Sequence, residues 1–333
     1  MSDLHALMDI APGVRTLVDT CAGVKRGERV LIVTDTGMDQ GIIAAFALLC
    51  RERGAEVVIT SMEPVKIPGQ APSEMVCAAA TRAHVVFELT RQFIGASKAR
   101  IDACKAGARW LILCAMSRSM LVEDGAVNVD YHAIRPVGEQ IAERIGRASR
   151  YRLTSTNGTD IRGSFEGRPG RLLHGIATEP GALGAPPDIE VGTAPVEGTS
   201  DGVCYSEALL LMGPERVLEE PVKITIEKGR AVRIEGKYAY ILQEMMDACR
   251  DPNIYNLAEV SLGLNPKARF SGIPLETESA VGVAQVAFGN NRGYYGHTDA
   301  VAHLDTVVPN VTLYLDDEPI MKDGRLLIAE IPR

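Results

Sequence analysis

Arg29-Val-Leu-Ile-Val-Thr-Asp35, then Thr36-Gly-Met-Asp-Gln40, then the apolar run Gly41-Ile-Ile-Ala-Ala-Phe-Ala-Leu-Leu-Cys50, reads as strand, turn and helix, and this order decides the fold. A short continuous apolar run bounded by turn residues is a strand buried on both faces, which is how strands of parallel sheets look. The same order recurs downstream. Glu56–Thr60 predicts a strand, 75–83 a short helix, His84–Leu89 a strand, 94–106 a helix, Arg109–Cys114 a strand and 130–148 a helix. Alternating strands and helices imply a doubly wound parallel sheet, so residues 1–149 are expected to form an α/β, Rossmann-like domain. Neither Gly-x-Gly-x-x-Gly nor Gly-x-x-x-x-Gly-Lys-Ser/Thr stands at any of its turns, so a nucleotide is not expected there. Asp35 and Asp39 read as caps of the first turn.

Past residue 150 the grammar changes. Tyr151-Arg-Leu-Thr-Ser-Thr156 and Thr159-Asp-Ile-Arg-Gly-Ser-Phe-Glu166 flank Asn157-Gly158, the signature of a hairpin closed by a type I′ turn. Residues 167–187, rich in Gly and Pro, predict a long surface excursion. Pro221–Gly236 reads as a second hairpin and Lys237–Cys249 as a helix, making 150–333 an α+β domain.

Thirty-five Lys and Arg against 43 Asp and Glu give a net charge of −8 over 333 residues. With no basic block, neither nucleic acid nor an anionic membrane is an expected partner, and a small-molecule substrate is. The run 41–50 is half of the roughly 20 residues a membrane span needs. The first residues, Met1-Ser-Asp-Leu-His-Ala6, lack a basic region followed by an apolar one, so a cytoplasmic location is expected. Seven cysteines, with no Cys-x-x-Cys, predict reduced thiols used for packing.

Residues 276–305 are densest in functional side chains. His303-x-Asp305 on a strand puts imidazole and carboxylate on one face, because side chains alternate with period two. Glu190, Glu259 and Glu278 lie in apolar surroundings, where a carboxylate needs a partner, and a cation is an economical one. No Gly-x-Ser-x-Gly is present, so a serine triad is not favoured.

Five ordered blocks carry a family resemblance: Asn157-Gly-Thr-Asp160; Glu190-Val-Gly-Thr-Ala-Pro195 with Asp201-Gly202; Leu257-Ala-Glu-Val-Ser-Leu-Gly-Leu-Asn-Pro266; Glu278 with Ala287-Phe-Gly289; and His303-Leu-Asp305 with Leu313-Tyr-Leu-Asp-Asp317. Together they resemble the clan of the thermophilic aminopeptidases T and S and of 2,5-dihydroxypyridine 5,6-dioxygenase. The aminopeptidase resemblance implies a divalent-metal site built from Glu190, Glu259, Glu278, His303 and Asp305. Gln285 stands where that pattern has a further histidine, and His297 is the nearest substitute. It also implies a catalytic tyrosine, Tyr294 or Tyr295, with Glu259 as ligand or general base. The dioxygenase resemblance implies one Fe(II) on His303 and Asp305, with Glu259 where that enzyme has its other histidine. Arg269, Arg292 and Gln285 are the expected substrate contacts, with Lys267 close by.

A carboxylate in place of imidazole hardens the site toward Mn, Zn, Mg or Co. The expectation is therefore a metal-dependent hydrolase of an amide, an amine-bearing small molecule or a peptide N-terminus. An Fe(II) ring-cleaving dioxygenase comes second, and a non-catalytic binding protein third. Both relatives self-associate, so a homo-oligomer is expected.

Overall fold

A computed structural model describes residues 2–66, 69–210 and 217–332. The chain divides into two compact units, Met1–Tyr131 with His174–Asp188, and His132–Leu173 with Ile189–Arg333.

The first unit is the expected α/β body. Its five-stranded sheet runs, in spatial order, Glu56–Met62, Arg29–Asp35, Val85–Leu89, Arg109–Ile112 and Leu183–Gly184, every pair parallel. The run 41–50 lies in the Gln40–Glu52 helix, whose Phe46 meets Phe87 edge-on at 5.1 Å between ring centres. Asp39 caps that helix by accepting from the Gly41 amide, as the sequence predicts, and Asp35 accepts from the Gly37 and Arg91 amides. The third helix is shorter than 94–106 suggests. It starts at Lys98, because the Ile94 amide is drawn to the Glu88 carboxylate and Ser97 closes a turn on the Ile94 carbonyl. All seven cysteines are free thiols, and no helix among the described residues is long and apolar enough to cross a membrane.

The second unit is built on a 13-stranded sheet, antiparallel at every pairing, in the order Arg325–Leu326, Glu318–Lys322, Val311–Leu315, Arg150–Ser155, Asp160–Ser164, Asp201–Leu209, His303–Pro309, Val283–Gly289, Leu257–Gly263, Glu190–Thr193 and Arg171–Leu173. The hairpin Val217–Glu227 with Arg230–Glu235 branches from Asp201–Leu209. Tyr151, on the Arg150–Ser155 strand, stacks on Phe165 with ring centres 4.3 Å apart.

Three expectations are corrected here. The first unit ends at Tyr131 rather than at 149, because the Tyr131–Arg147 helix packs into the second unit. A Cβ on Gly170 would lie 2.2 Å from the Ala142 carbonyl oxygen, and one on Gly138 would lie 2.4 Å from Leu172, so glycine at both positions lets the helix settle on the 170–172 segment. The Gly/Pro-rich stretch is not a surface excursion. It supplies Arg171–Leu173 to the antiparallel sheet and Leu183–Gly184 to the parallel one, and Ala177 and Ala185 within it are buried. Finally, the first hairpin forms, but Asn157 is not at positive φ as a type I′ turn requires; only Gly158 is, at +104°. Gly158 donates to the Ser155 carbonyl and Thr159 to the Asn157 side chain, which closes a three-residue loop ending in a glycine bulge.

Candidate metal centre

Three neighbouring strands place the centre. In the registers of Leu257–Gly263, Val283–Gly289 and His303–Pro309, Glu259 stands opposite Ala287 and Ala287 opposite Asp305, so one row carries two carboxylates with a methyl between them. His303 lies two residues before Asp305 and shares its face. The row depends on a bulge between Leu257 and Glu259, where the first strand spends an extra residue at Ala258. A bulge re-aims the side chain that follows it, and here that residue is Glu259. The histidine Nε2 lies 3.0 Å from Glu259 Oε2 and 3.2 Å from Asp305 Oδ1. One ligand atom from each residue lies within 4.8 Å of the others. Glu259 is fully buried while the side chains of His303 and Asp305 are 26% and 25% exposed, so the centre opens to solvent on their side.

The hydrogen bonds around His303 suit a cation. Its Nδ1 is 2.6 Å from the Asn290 carbonyl oxygen, which can only accept, so Nδ1 carries the proton. Nε2 then faces both carboxylates. Burial alone would lower the imidazolium pKa, but Asp305 and Glu259 outweigh it and hold the pKa well above the usual range. A nitrogen that can donate one proton is thus set between two acids, an arrangement a divalent ion satisfies better than a proton does. Ser261 hydroxyl donates to Glu259 Oε1, and Gln285, buried beside it, has its Oε1 3.3 Å from that hydroxyl and donates through Nε2 to the Glu278 carbonyl at 3.3 Å.

A second layer lies against this one. The Tyr294 ring stacks flat on His303, with centres 5.5 Å apart and planes 7° off parallel, and the Arg171 guanidinium lies over the same tyrosine ring at 4.4 Å from its centre. Tyr294 hydroxyl donates to Glu190 Oε1 at 2.7 Å, and Arg171 Nη1 approaches the same oxygen at 3.1 Å. Burial, then the charge of Glu259, push the Glu190 carboxyl up to about 7 against the pull of Arg171 and Tyr294. The loop bearing Tyr294 is tied down by a buried arginine: Arg168 donates to the Tyr295 carbonyl and pairs with Glu197, which accepts from Asn291 Nδ2 and the His297 amide at 2.9 and 2.7 Å. Gly296 is obligatory there, since a Cβ would lie 2.0 Å from the Asn291 side chain.

Of the residues expected from sequence, Glu259, His303 and Asp305 converge, with Glu190, Tyr294 and Gln285 beside them. Glu278 reaches the group through its carbonyl and is not among the three convergent donors. His297 is exposed and also lies outside them, meeting Glu197 through its backbone amide. Tyr295 is 48% exposed at φ +67°, Arg292 is exposed, and Arg269 is exposed and paired with the buried Glu276 at 3.2 Å. Sequence reasoning missed Arg171, Arg168 and Ser261. Arg168 and Arg171 sit in Gly167-Arg-Pro-Gly-Arg171, whose Gly and Pro read as loop chemistry; two arginines flanking an otherwise uncharged turn are the available signal.

Comparison with known proteins agrees with this architecture. The family model described as 2,5-dihydroxypyridine 5,6-dioxygenase matches residues 13–328. The curated 2,5-dihydroxypyridine 5,6-dioxygenase of Pseudomonas putida KT2440 is 25% identical over 192 residues, an alignment that spans 54% of this chain and 55% of that protein, about half of its length. The solved structure of the dioxygenase from Pseudomonas putida KT2440 superposes with a TM-score of 0.77 at 19% identity, covering 98% of this chain and 99% of that one. Wild-type AmpT from Thermus thermophilus gives 0.70 at 16% identity, covering 96% and 99%. At these identities the two structures establish the shared fold.

Proposed function

The chain belongs to the 2,5-dihydroxypyridine 5,6-dioxygenase family, and from that premise we propose that it opens a dihydroxylated nitrogen-containing aromatic ring with dioxygen, at a divalent cation held by Glu259, His303 and Asp305. The expected metallohydrolase is set aside: the family match over 13–328 and the curated relative both point to a dioxygenase. The physical reason is that ligand hardness governs which cations bind, and does not choose the reaction that follows.

Support comes from three donors on the two strands that flank Val283–Gly289, facing one another across Ala287, in a chain matched by that family along nearly its whole length. Fe(II) is the cation this reading requires. When bound, ferrous iron supplies the electron-transfer chemistry that lets a closed-shell ring react with dioxygen. The protein's part is positional. Asn290 fixes the His303 tautomer, Tyr294 fixes the plane of its ring, and Ser261 and Gln285 hold Glu259 on the row. The exposed side at His303 and Asp305 is where a planar substrate would enter, and buried Glu259 closes the opposite side.

The test is anaerobic loading with Fe(II), followed by oxygen-electrode and absorbance measurements with 2,5-dihydroxypyridine. About one iron per chain and oxygen uptake matched to loss of the ring chromophore are expected of a three-donor site. Folded, iron-loaded protein that consumes no oxygen with this or related dihydroxylated rings would exclude the proposal.

A further inference from the structure

Glu190 faces the centre but is already engaged. Both Tyr294 Oη and Arg171 Nη1 address its Oε1, at 2.7 and 3.1 Å. Tyr294 is itself fixed to the strand that carries Glu190, because its carbonyl accepts from the Ala194 amide at 3.1 Å and lies 3.3 Å from the Thr193 hydroxyl. The guanidinium lies over the same tyrosine ring, so cation, phenol and carboxylate form one rigid group. Among the described residues, the donors that converge within 4.8 Å are Glu259, His303 and Asp305, without Glu190.

We propose that Arg171 and Tyr294 hold Glu190 out of the cation's ligand set and thereby keep the centre to a single metal ion, an inference that rests on Glu259, His303 and Asp305 being that ion's ligands. Charge balance argues the same way. With Glu190 ionised, Glu190, Glu259 and Asp305 bring three negative charges, and one guanidinium with one dication cancels them while His303 stays neutral. A second dication would leave two positive charges uncompensated in a buried place and would stand against the Arg171 guanidinium, where low polarisability makes like charges costly. Arg171 is therefore a positioning residue that sets metal number; it touches the site through Glu190 and Tyr294.

The test titrates metal-free protein with Mn²⁺, following free Mn²⁺ by EPR, so that no turnover is needed. Wild type should take up about one ion, and Glu190→Gln should still take up one with affinity within about threefold, whereas Glu259→Gln should lose at least about 100-fold. The pair Arg171→Met with Tyr294→Phe, which leaves Glu190 free to ligate, should bind Mn²⁺ at least about tenfold more tightly. Tyr294→Phe alone keeps both ring contacts and should tighten binding about threefold, which keeps the test decisive if the double variant does not fold. Two ions in wild type, or Glu190→Gln losing metal as fully as Glu259→Gln, would overturn this inference and leave the three-ligand site standing. Unchanged affinity in the folded Tyr294→Phe and double variants would overturn it too. No uptake by wild type would remove both.

Discussion

Each unit buries a glutamate completely, and the two are treated in opposite ways. Glu88, in the parallel sheet, accepts from the Ile94 amide and the Trp110 indole, both at 2.7 Å. Each of its oxygens is met by an N–H, and the residue ties the strand to the following turn. Glu259, in the antiparallel sheet, is equally buried but meets a hydroxyl on one oxygen and an imidazole on the other, with Glu190 and Asp305 close enough to perturb their neighbours. A buried acid surrounded by fixed donors is finished structure. A buried acid grouped with other acids around one histidine is a place for a cation.

The contrast can be broken most directly at the proposed ligands. His303→Ala or Asp305→Ala should lower metal retention, measured by elemental analysis after dialysis, by more than about 100-fold, while Glu88→Gln should leave it unchanged. Gly192→Ala tests how tightly the centre's floor is built. Its Cβ would fall 2.1 Å from Ser261 Cβ and 2.5 Å from the Val260 carbonyl oxygen, so a loss of about 3 kcal/mol in denaturant unfolding is expected.

Glu88 offers a test by pH. Burial raises its carboxyl from an ordinary 4.5 to about 7, against the pull of the Ile94 and Trp110 donors. The folded chain therefore holds a proton there between those values and the unfolded chain does not. This contribution to stability is complete below 4.5 and lost as pH rises through 7, amounting to about 3 kcal/mol. Glu88→Gln should flatten the wild-type decline across that window in unfolding curves taken at stepped pH; an unchanged slope would place the titrating group elsewhere. Ser261→Ala removes one orienting donor from Glu259 and should weaken metal binding about tenfold by calorimetry. The smallest effect is expected from Arg292→Ala, an exposed side chain, with metal affinity and melting behaviour within about twofold and 0.5 kcal/mol of wild type.

Much of this molecule is legible along the chain because its cues are local. Apolar runs separated by turn residues announce the parallel sheet, and His303-x-Asp305 announces two donors on one face, since both follow from the period of a strand. Glu259 could be marked as an acid needing a partner from its apolar neighbours alone. The choice of Tyr294 over Tyr295 could not be made that way: adjacent residues have equal claims until the left-handed turn at Tyr295 carries one ring onto His303 and leaves the other exposed. Nor could Arg171 be found, because its meaning comes from a strand pairing in which Leu173 stands opposite Glu190, across a segment whose Gly and Pro content resembles a loop.

By itself, then, the sequence determined the α/β and α+β halves, the family, and three of the side chains at the centre, because periodicity and local composition are written in neighbouring residues. Tertiary structure decided where the units divide, that a bulge at Ala258 turns Glu259 onto the row with Asp305, and that an arginine and a tyrosine far apart in the chain engage Glu190. Those outcomes depend on register and on contacts between distant segments, where a shift of one residue turns a side chain to the other face of the sheet.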